Sequence, residues 1–324
     1  MVVNTASALG LPASDPFTAP VDDDVLRSNA DIVRWYSQQP DRWQYSMAEQ
    51  RRQRVEKGGY FPGTPPCARA ENMVIAGPAG DQRLRVIRPS KGGSRGLYVF
   101  IHGGGWVVGS YDGQDQMLER VAENCGLTVV SVAYRLAPEH PYPAGPDDCE
   151  AAVLWIAREG LKRFGGDRLF IGGNSVGCAL AVSTMARLRD KHGMTPFAGA
   201  NLQAGCYDAR LTPSMRNWGP EPLILNTRDM SMFVKLFLTD GGSPDDPDIS
   251  PLLADLKGMP RALFTCGTRD PLIDDSLFMA ARWRVAGLQS ELAIWPGAPH
   301  GFTLTATRQA QEGLKRMESF LASI

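Results

Sequence analysis

Several signatures are missing from this chain, and their absence narrows the field. Its six cysteines, Cys67, Cys125, Cys149, Cys178, Cys206 and Cys266, are never closer than 24 residues. With no C-x-x-C pair and no His-x3-His partner, zinc-ribbon and thioredoxin readings lack their ligand spacing. Neither sign of charge dominates: 34 Lys and Arg stand against 35 Asp and Glu, a net charge of −1. That balance supplies no chain-wide field for nucleic acid or anionic lipid. No stretch approaches ~18 uninterrupted apolar residues, and the opening MVVNTASALGLPASDPF has neither a basic n-region nor a long apolar h-region. The expectation is a cytoplasmic protein whose free thiols act mostly as small core hydrophobes.

What is present suits a globular domain. The chain has 324 residues, 43% hydrophobic and 21% charged, with 34 glycines and 24 prolines that follow no period. Disordered, collagenous and solenoid classes fall away. The length suits two domains, or one α/β domain carrying a cap insertion.

Residues 1–65 are polar and helix-like, broken by Trp35, Tyr36, Trp43, Tyr45 and Met47, with Pro40 marking a turn between two helices. From residue 68 the pattern changes to strands. AENMVIA and RLRVIRP flank the turn GPAGD and predict a hairpin. LYVFI and LTVVSVAY are continuous apolar runs, as strands buried on both faces should be, and they predict a parallel sheet. A helix capped by Asp147 or Asp148 and stopped at Gly165 follows, with Val153, Ile156, Ala157 and Phe164 on one face. Then come strand RLFIG, helix CALAVSTMARLRDKH ending at Gly193, and strands near FAGANLQ, ALFTCG and ELAIWP, with helices between them. Residues 207–250 interrupt this alternation. Met230, Phe233, Val234 and Phe237 lie there at i, i+3, i+4 and i+7, which suits either a core helix or a cap helix facing a cleft.

The pattern G-x-S-x-G occurs twice, around Ser94 and around Ser175. Composition alone yields about 0.2 occurrences per chain, so context must decide. Ser94 leads from a polar turn into a strand, whereas Ser175 follows strand RLFIG and begins a helix. Only that second setting forces a serine into a strained strand-to-helix turn, where Gly173 and Gly177 relieve crowding. The serine then stands at a helix N-terminus, whose amides point toward developing negative charge. His102-Gly103-Gly104-Gly105 follows strand LYVFI, and chance yields only about 0.005 such runs. Consecutive glycines let backbone amides approach a substrate oxygen, so Gly104, Gly105 and the Val176 amide are the expected oxyanion donors. The Val176 side chain is expected near an acyl-binding wall.

A base for Ser175 should lie late in the chain, on a loop after a strand. His300 fits that place. His102 suits a loop-bracing role, while His140 follows a turn and His192 ends a helix. Asp270, after strand ALFTC, is the expected acid partner of His300, with Asp274 and Asp275 more suited to capping a helix. The order Ser175, Asp270, His300 is that of an α/β-hydrolase.

At this point the chain resembles the hormone-sensitive-lipase family of bacterial carboxylesterases, also called family IV. The resemblance covers residues 95–305 and rests on HGGGW at 102–106, YRLAPEHPYPAGPDD at 134–148, GNSVG at 173–177, DPLIDD at 270–275 and HGF at 300–302. The family's usual elbow is Gly-Asp-Ser-Ala-Gly, so Asn174 and Val176 depart from it without removing a triad group. The resemblance implies a two-part helical cap and activity on short to medium acyl esters.

The full reading is an α/β-hydrolase fold with a mostly parallel eight-stranded sheet flanked by helices. Residues 1–65 and 207–250 form the cap, and residues 66–206 and 251–324 form the core. Trp35, Tyr207, Trp218, Phe233 and Phe237 are the candidate substrate-binding residues. No metal or cofactor is expected. The partners are a small-molecule ester and water, with homo-oligomers left open and neither nucleic acid nor membrane involved. The rivals are an amidase or arylacetamide deacetylase with the same acyl-enzyme, and a non-catalytic receptor on the same scaffold.

Overall fold

The computed structural model describes residues 15–61 and 65–324. Eight strands make one sheet: β1 Glu71–Gly77, β2 Gly80–Ile87, β3 Gly96–Ile101, β4 Thr128–Val132, β5 Arg168–Asn174, β6 Phe197–Gln203, β7 Arg261–Arg269 and β8 Ser290–Pro299. Their spatial order is β1-β2-β4-β3-β5-β6-β7-β8. β2 pairs antiparallel with β1 and β4, and every other pairing is parallel. The fold is the α/β-hydrolase fold.

Alternation along β3 divides the core. Leu97, Val99 and Ile101 point to one face and Tyr98 and Phe100 to the other, and all five are fully buried. A strand covered on both faces must be apolar throughout, which is why LYVFI reads as an unbroken run. Helices α3 (Asp115–Cys125) and α9 (Arg308–Ala322) cover the Tyr98 face with Met117, Leu118, Leu314 and Phe320. Helices α4 (Ala144–Trp155), α5 (Val176–His192) and α8 (Ile273–Val285) cover the other.

The helix expected to be capped by Asp147 or Asp148 begins earlier, at Ala144. Both carboxylates are taken by arginines instead. Asp148 accepts the Arg135 backbone N–H at 2.8 Å as well as its guanidinium, and Asp147 pairs with Arg187 at 2.8 Å. Past Trp155 the chain continues through a π turn, Ile156–Gly160, and a last helical turn before Gly165 at φ +84°.

The remaining helices are α1 (Asp23–Ser37), α2 (Met47–Lys57), α6 (Pro213–Asn217) and α7 (Thr227–Phe237). They gather at the carboxyl ends of the strands. Asn29 of α1 donates to the Gly297 carbonyl at 2.8 Å, and Arg51 of α2 donates to the Val107 and Ala137 carbonyls at 2.6 Å each. Trp43 joins the two sheet-free segments: its indole N–H donates to Asp229 at 2.7 Å and its ring meets Phe233 at 5.4 Å.

One buried ion pair anchors α3 to the sheet. Asp115, 1% exposed, accepts from the Arg85 guanidinium and from the Cys67 backbone N–H. Removing one partner of a buried pair strands the other charge, at a cost of about 3–5 kcal/mol. We therefore expect Asp115→Ala to lose stability of that order in urea unfolding, with Asp115→Asn losing less. A loss below about 1 kcal/mol would mean that Arg85 finds solvent.

Candidate active site

The turn between β5 and α5 is tight because glycines allow it to be. A Cβ at Gly173 would lie 2.6 Å from the Ile101 carbonyl oxygen, and one at Gly177 would lie 2.7 Å from that of His102. Real Cβ atoms do not approach that closely, so only glycine permits β3 and the turn to come together. Ser175 sits between them at φ +55° and ψ −127°, a strained conformation for a residue with a side chain. Three backbone hydrogen bonds hold it there. Ser175 N–H donates to Gln203 at 2.9 Å, while its carbonyl accepts from Cys178 at 3.0 Å and Cys206 at 3.2 Å.

Ser175 Oγ lies 3.1 Å from His300 Nε2, and His300 Nδ1 lies 3.0 Å from Asp270. The three residues come from the ends of β5, β7 and β8, which adjacent parallel pairings bring to one edge. Asp270 is 1% exposed and His300 9%. Burial, the largest influence on His300, disfavours the imidazolium. The charge of Asp270 and its hydrogen bond outweigh that, and the His300 pKa is raised above its ordinary value. The arrangement can take a proton from the serine hydroxyl and steady the resulting cation.

Gly104 (φ +118°) and Gly105 (φ +61°) form the loop after β3. The Gly103 N–H is engaged by Asn174 Oδ1 at 2.8 Å. Those of Gly104, Gly105 and Val176 donate to no protein acceptor among the described residues. Asn174 thus ties the glycine loop to the elbow through one acceptor oxygen, which aspartate would also supply. His102 is neutral, because burial pushes its pKa down to about 4, and its Nδ1 meets the Gly103 carbonyl at 2.8 Å. Its ring stacks on Tyr134 at 4.3 Å.

The other candidates fall elsewhere. Ser94 Oγ accepts the Thr128 N–H at 2.9 Å, at the opposite end of β3. His192 meets Glu150 at 2.9 Å, and His140 is exposed. Asp274 accepts the Ser214 N–H at 2.8 Å. Asp275, with its pKa raised by burial to about 7, accepts from Tyr207, Asp208 and Thr212. Both therefore fasten the 207–214 segment to α8, a role beyond simple capping.

The aromatic candidates divide. Phe233 packs against Gly105, where a Cβ would collide with its ring, and Phe237 stacks on Trp106 at 4.5 Å. Trp218 lies under Arg269, and Trp35 sits half-buried beside Tyr36 and Tyr60. Tyr207 requires correction as a substrate-binding residue. It is 0% exposed, with its ring against Phe264 and Gly205, so no substrate reaches it. The Val176 side chain is likewise 0% exposed and packed in the core, so it forms no acyl wall.

A crevice beside the serine and histidine is lined in part by Gln114, Asn174, Gln203, Thr265, Thr303 and Leu304. Apart from Asn174, sequence reasoning passed over these residues. The available signal was a glutamine ending the mostly apolar strand FAGANLQ, an unusual residue for a buried position. Among the described residues no group of three His, Cys, Asp or Glu side chains could hold a metal, and no helix is long and apolar enough to cross a membrane.

The fold and this geometry define an α/β-hydrolase with a serine, histidine and aspartate in one hydrogen-bonded line. A family model for the alpha/beta hydrolase fold matches residues 98–304, and the chain belongs to its hormone-sensitive-lipase-like branch. It is 36% identical over 250 residues to the carboxylic ester hydrolase LipN of Mycobacterium tuberculosis, a match that takes in 75% of this chain and 66% of that protein. The ethyl acetate hydrolase of Pseudomonas putida is 32% identical, over 67% of this chain and 69% of its own length. An esterase from Pyrobaculum calidifontis superposes with a TM-score of 0.83 at 29% identity, covering 94% of this chain and 99% of that one. The chain thus spans about two thirds of the length of the curated relatives it matches.

The two buried histidines should titrate apart. His300 should lose its proton above the ordinary histidine value of about 6.5, and His102 should stay neutral down to about pH 4. Asp270→Asn removes the charge while keeping one acceptor oxygen for Nδ1, so the His300 value should fall. Imidazole NMR titration reads both, and an unmoved His300 would mean that Asp270 does not set its charge.

Proposed function

We propose that this protein is a serine carboxylesterase acting on short to medium acyl esters. The observation that carries this reading is the line from Asp270 through His300 to Ser175, ending at a strained serine beside unengaged backbone amides. Ser175 Oγ attacks the ester carbonyl as His300 Nε2 takes its proton. Asp270 holds the histidine tautomer and stabilises the imidazolium. The amides of Gly104, Gly105 and Val176 receive the oxyanion, where fixed donors act most strongly. His300 then protonates the departing alcohol, and water releases the acid from Ser175. The reaction calls on no metal or cofactor, and its partners are the ester and water. Esterase names among the relatives support ester over amide substrates. Six buried, unpaired cysteines favour a reducing compartment, and with it the cytoplasm.

In this reading residues 1–65, of which 1–14 and 62–64 lie outside the described residues, and 207–250 are a cap on the core formed by 66–206 and 251–324. The contacts of Trp43 with Asp229 and Phe233 support it, since they join both segments directly beside Gly105. Phe233 would then bound the space next to the oxyanion.

Fluorophosphonate labelling and hydrolysis of a p-nitrophenyl ester series test the proposal. Label should map to Ser175, with Ser175→Ala losing turnover by ~10⁶ and Ser94→Ala nearly unchanged. An adduct at Ser94 would overturn the assignment. Phe233→Ala opens space beside Gly105, and should shift the kcat/KM optimum toward longer acyl chains. An unaltered chain-length profile would remove Phe233 from the substrate wall.

A further inference from the structure

Two polar side chains are buried at the end of β6 and midway along β7, at positions that apolar residues would ordinarily fill. Gln203 is 4% exposed and Thr265 1%. The parallel register sets them side by side, so both leave the sheet on one face. That is the face Leu263, two residues before Thr265, shares with Met117 of α3. Neither has ordinary partners. Thr265 Oγ1 meets no hydrogen-bond partner among the described residues. Gln203 Nε2 donates to the Met117 sulfur at 3.9 Å, and its Oε1 accepts from the Thr303 hydroxyl at 3.5 Å. Both residues line, together with Ser175 and His300, a crevice of about 20 Å³. That is room for one water-sized group, and such a group needs two to four polar partners.

We propose that Gln203 and Thr265 are positioning residues that hold the water used to hydrolyse the acyl-enzyme. The inference rests on Ser175 being the nucleophile. His300 Nε2 gives a proton to the leaving oxygen in the first half-reaction and takes one from the attacking oxygen in the second. By microscopic reversibility both oxygens occupy the same place, beside Nε2. The crevice adjoins that place, and its polar walls include the glutamine amide and the threonine hydroxyl beside Gln114, Asn174 and Thr303. In the step they serve, the water oxygen bonds to the acyl carbon and its proton passes to His300 Nε2. The bond from carbon to Ser175 Oγ then breaks, Oγ takes the proton from Nε2, and the carboxylic acid leaves. Held by fixed polar groups, the water meets the ester carbon with little orientational entropy left to lose.

The experiment is stopped-flow hydrolysis of p-nitrophenyl acetate by the full chain and by Gln203→Met, Thr265→Val and Thr265→Ser. The two apolar substitutions keep side-chain size while removing the polar groups. Deacylation should slow about tenfold in Gln203→Met and Thr265→Val, the effect of one lost hydrogen bond. The acylation burst should stay within about twofold of the parent, and Thr265→Ser should restore deacylation. Added methanol should capture a larger share of acyl groups as methyl acetate in the two slowed variants, because the water has lost its holder and the alcohol has not. Equal loss in both half-reactions, or unaltered deacylation, would overturn the inference. So would a KM change that follows leaving-group size, which would give the crevice to the substrate. An unchanged fluorophosphonate labelling rate at Ser175 verifies that the variants fold around an intact nucleophile. If the parent chain itself were not labelled at Ser175, the esterase reading would fail first; labelling at Ser175 with unaltered deacylation would sink only the water site.

Discussion

Everything at this site depends on how closely β3 and β5 approach at their carboxyl ends. Ile101 and Gly173 are register partners, and the Ile101 and His102 carbonyls lie where side chains at 173 and 177 would have to be. That contact is repulsive for any residue with a Cβ, so two glycines are a condition of the fold here. Its consequence is positional: the serine at the end of one strand and the glycine loop at the end of its neighbour are set at a fixed separation by backbone alone. Asn174, reaching across to the Gly103 N–H, closes the same junction with a side chain. Strain at Ser175 persists because β6 also holds the turn through Gln203 and the segment just beyond it through Cys206.

The same buried interior gives two histidines opposite characters. His102 and His300 are similarly buried, 4% and 9% exposed. His102 has a backbone carbonyl and a stacked tyrosine for company, and burial leaves it neutral. His300 has a buried carboxylate at 3.0 Å, which reverses the sign of its shift. Charge can therefore develop at only one of them near neutral pH. A neutral ring in the glycine loop and a ring of raised pKa beside Ser175 arise from one residue type, separated by a single neighbour.

Around this centre, long-range contacts connect the two sheet-free segments to the loop that carries the amide donors. Phe233 rests on Gly105, Trp43 rests on Phe233, and Asp229 takes the Trp43 indole N–H. Arg51 grips the Val107 and Ala137 carbonyls just beyond the glycines. The donors are thus backed on one side by the sheet and on the other by residues distant in sequence. Within the apolar stripe, Phe237 packs on Trp106 while Phe233 borders the glycine loop.

The strands, their parallel character and the elbow were legible in the chain because each follows from local physics. Buried strands must be apolar on both faces, and a sharp strand-to-helix turn must have glycine where backbone crowds it. That Ser175, Asp270 and His300 come together was legible for a similar reason, since their order along the chain is restrictive. Side-chain surroundings were not. Asp147 and Asp148 look like helix caps until Arg187 and Arg135 arrive from elsewhere in the chain, and Tyr207 looks like a cleft aromatic until Phe264 and Gly205 enclose it. Val176 shows the division within one residue. Its amide lies at a helix N-terminus by sequence alone, but its side chain faces the core because the sheet packs behind it. Periodicity and steric necessity act over a few residues and can be read from order alone. Which polar groups find partners, as Gln203 and Thr265 show, is decided only when strands and helices distant in sequence close around them.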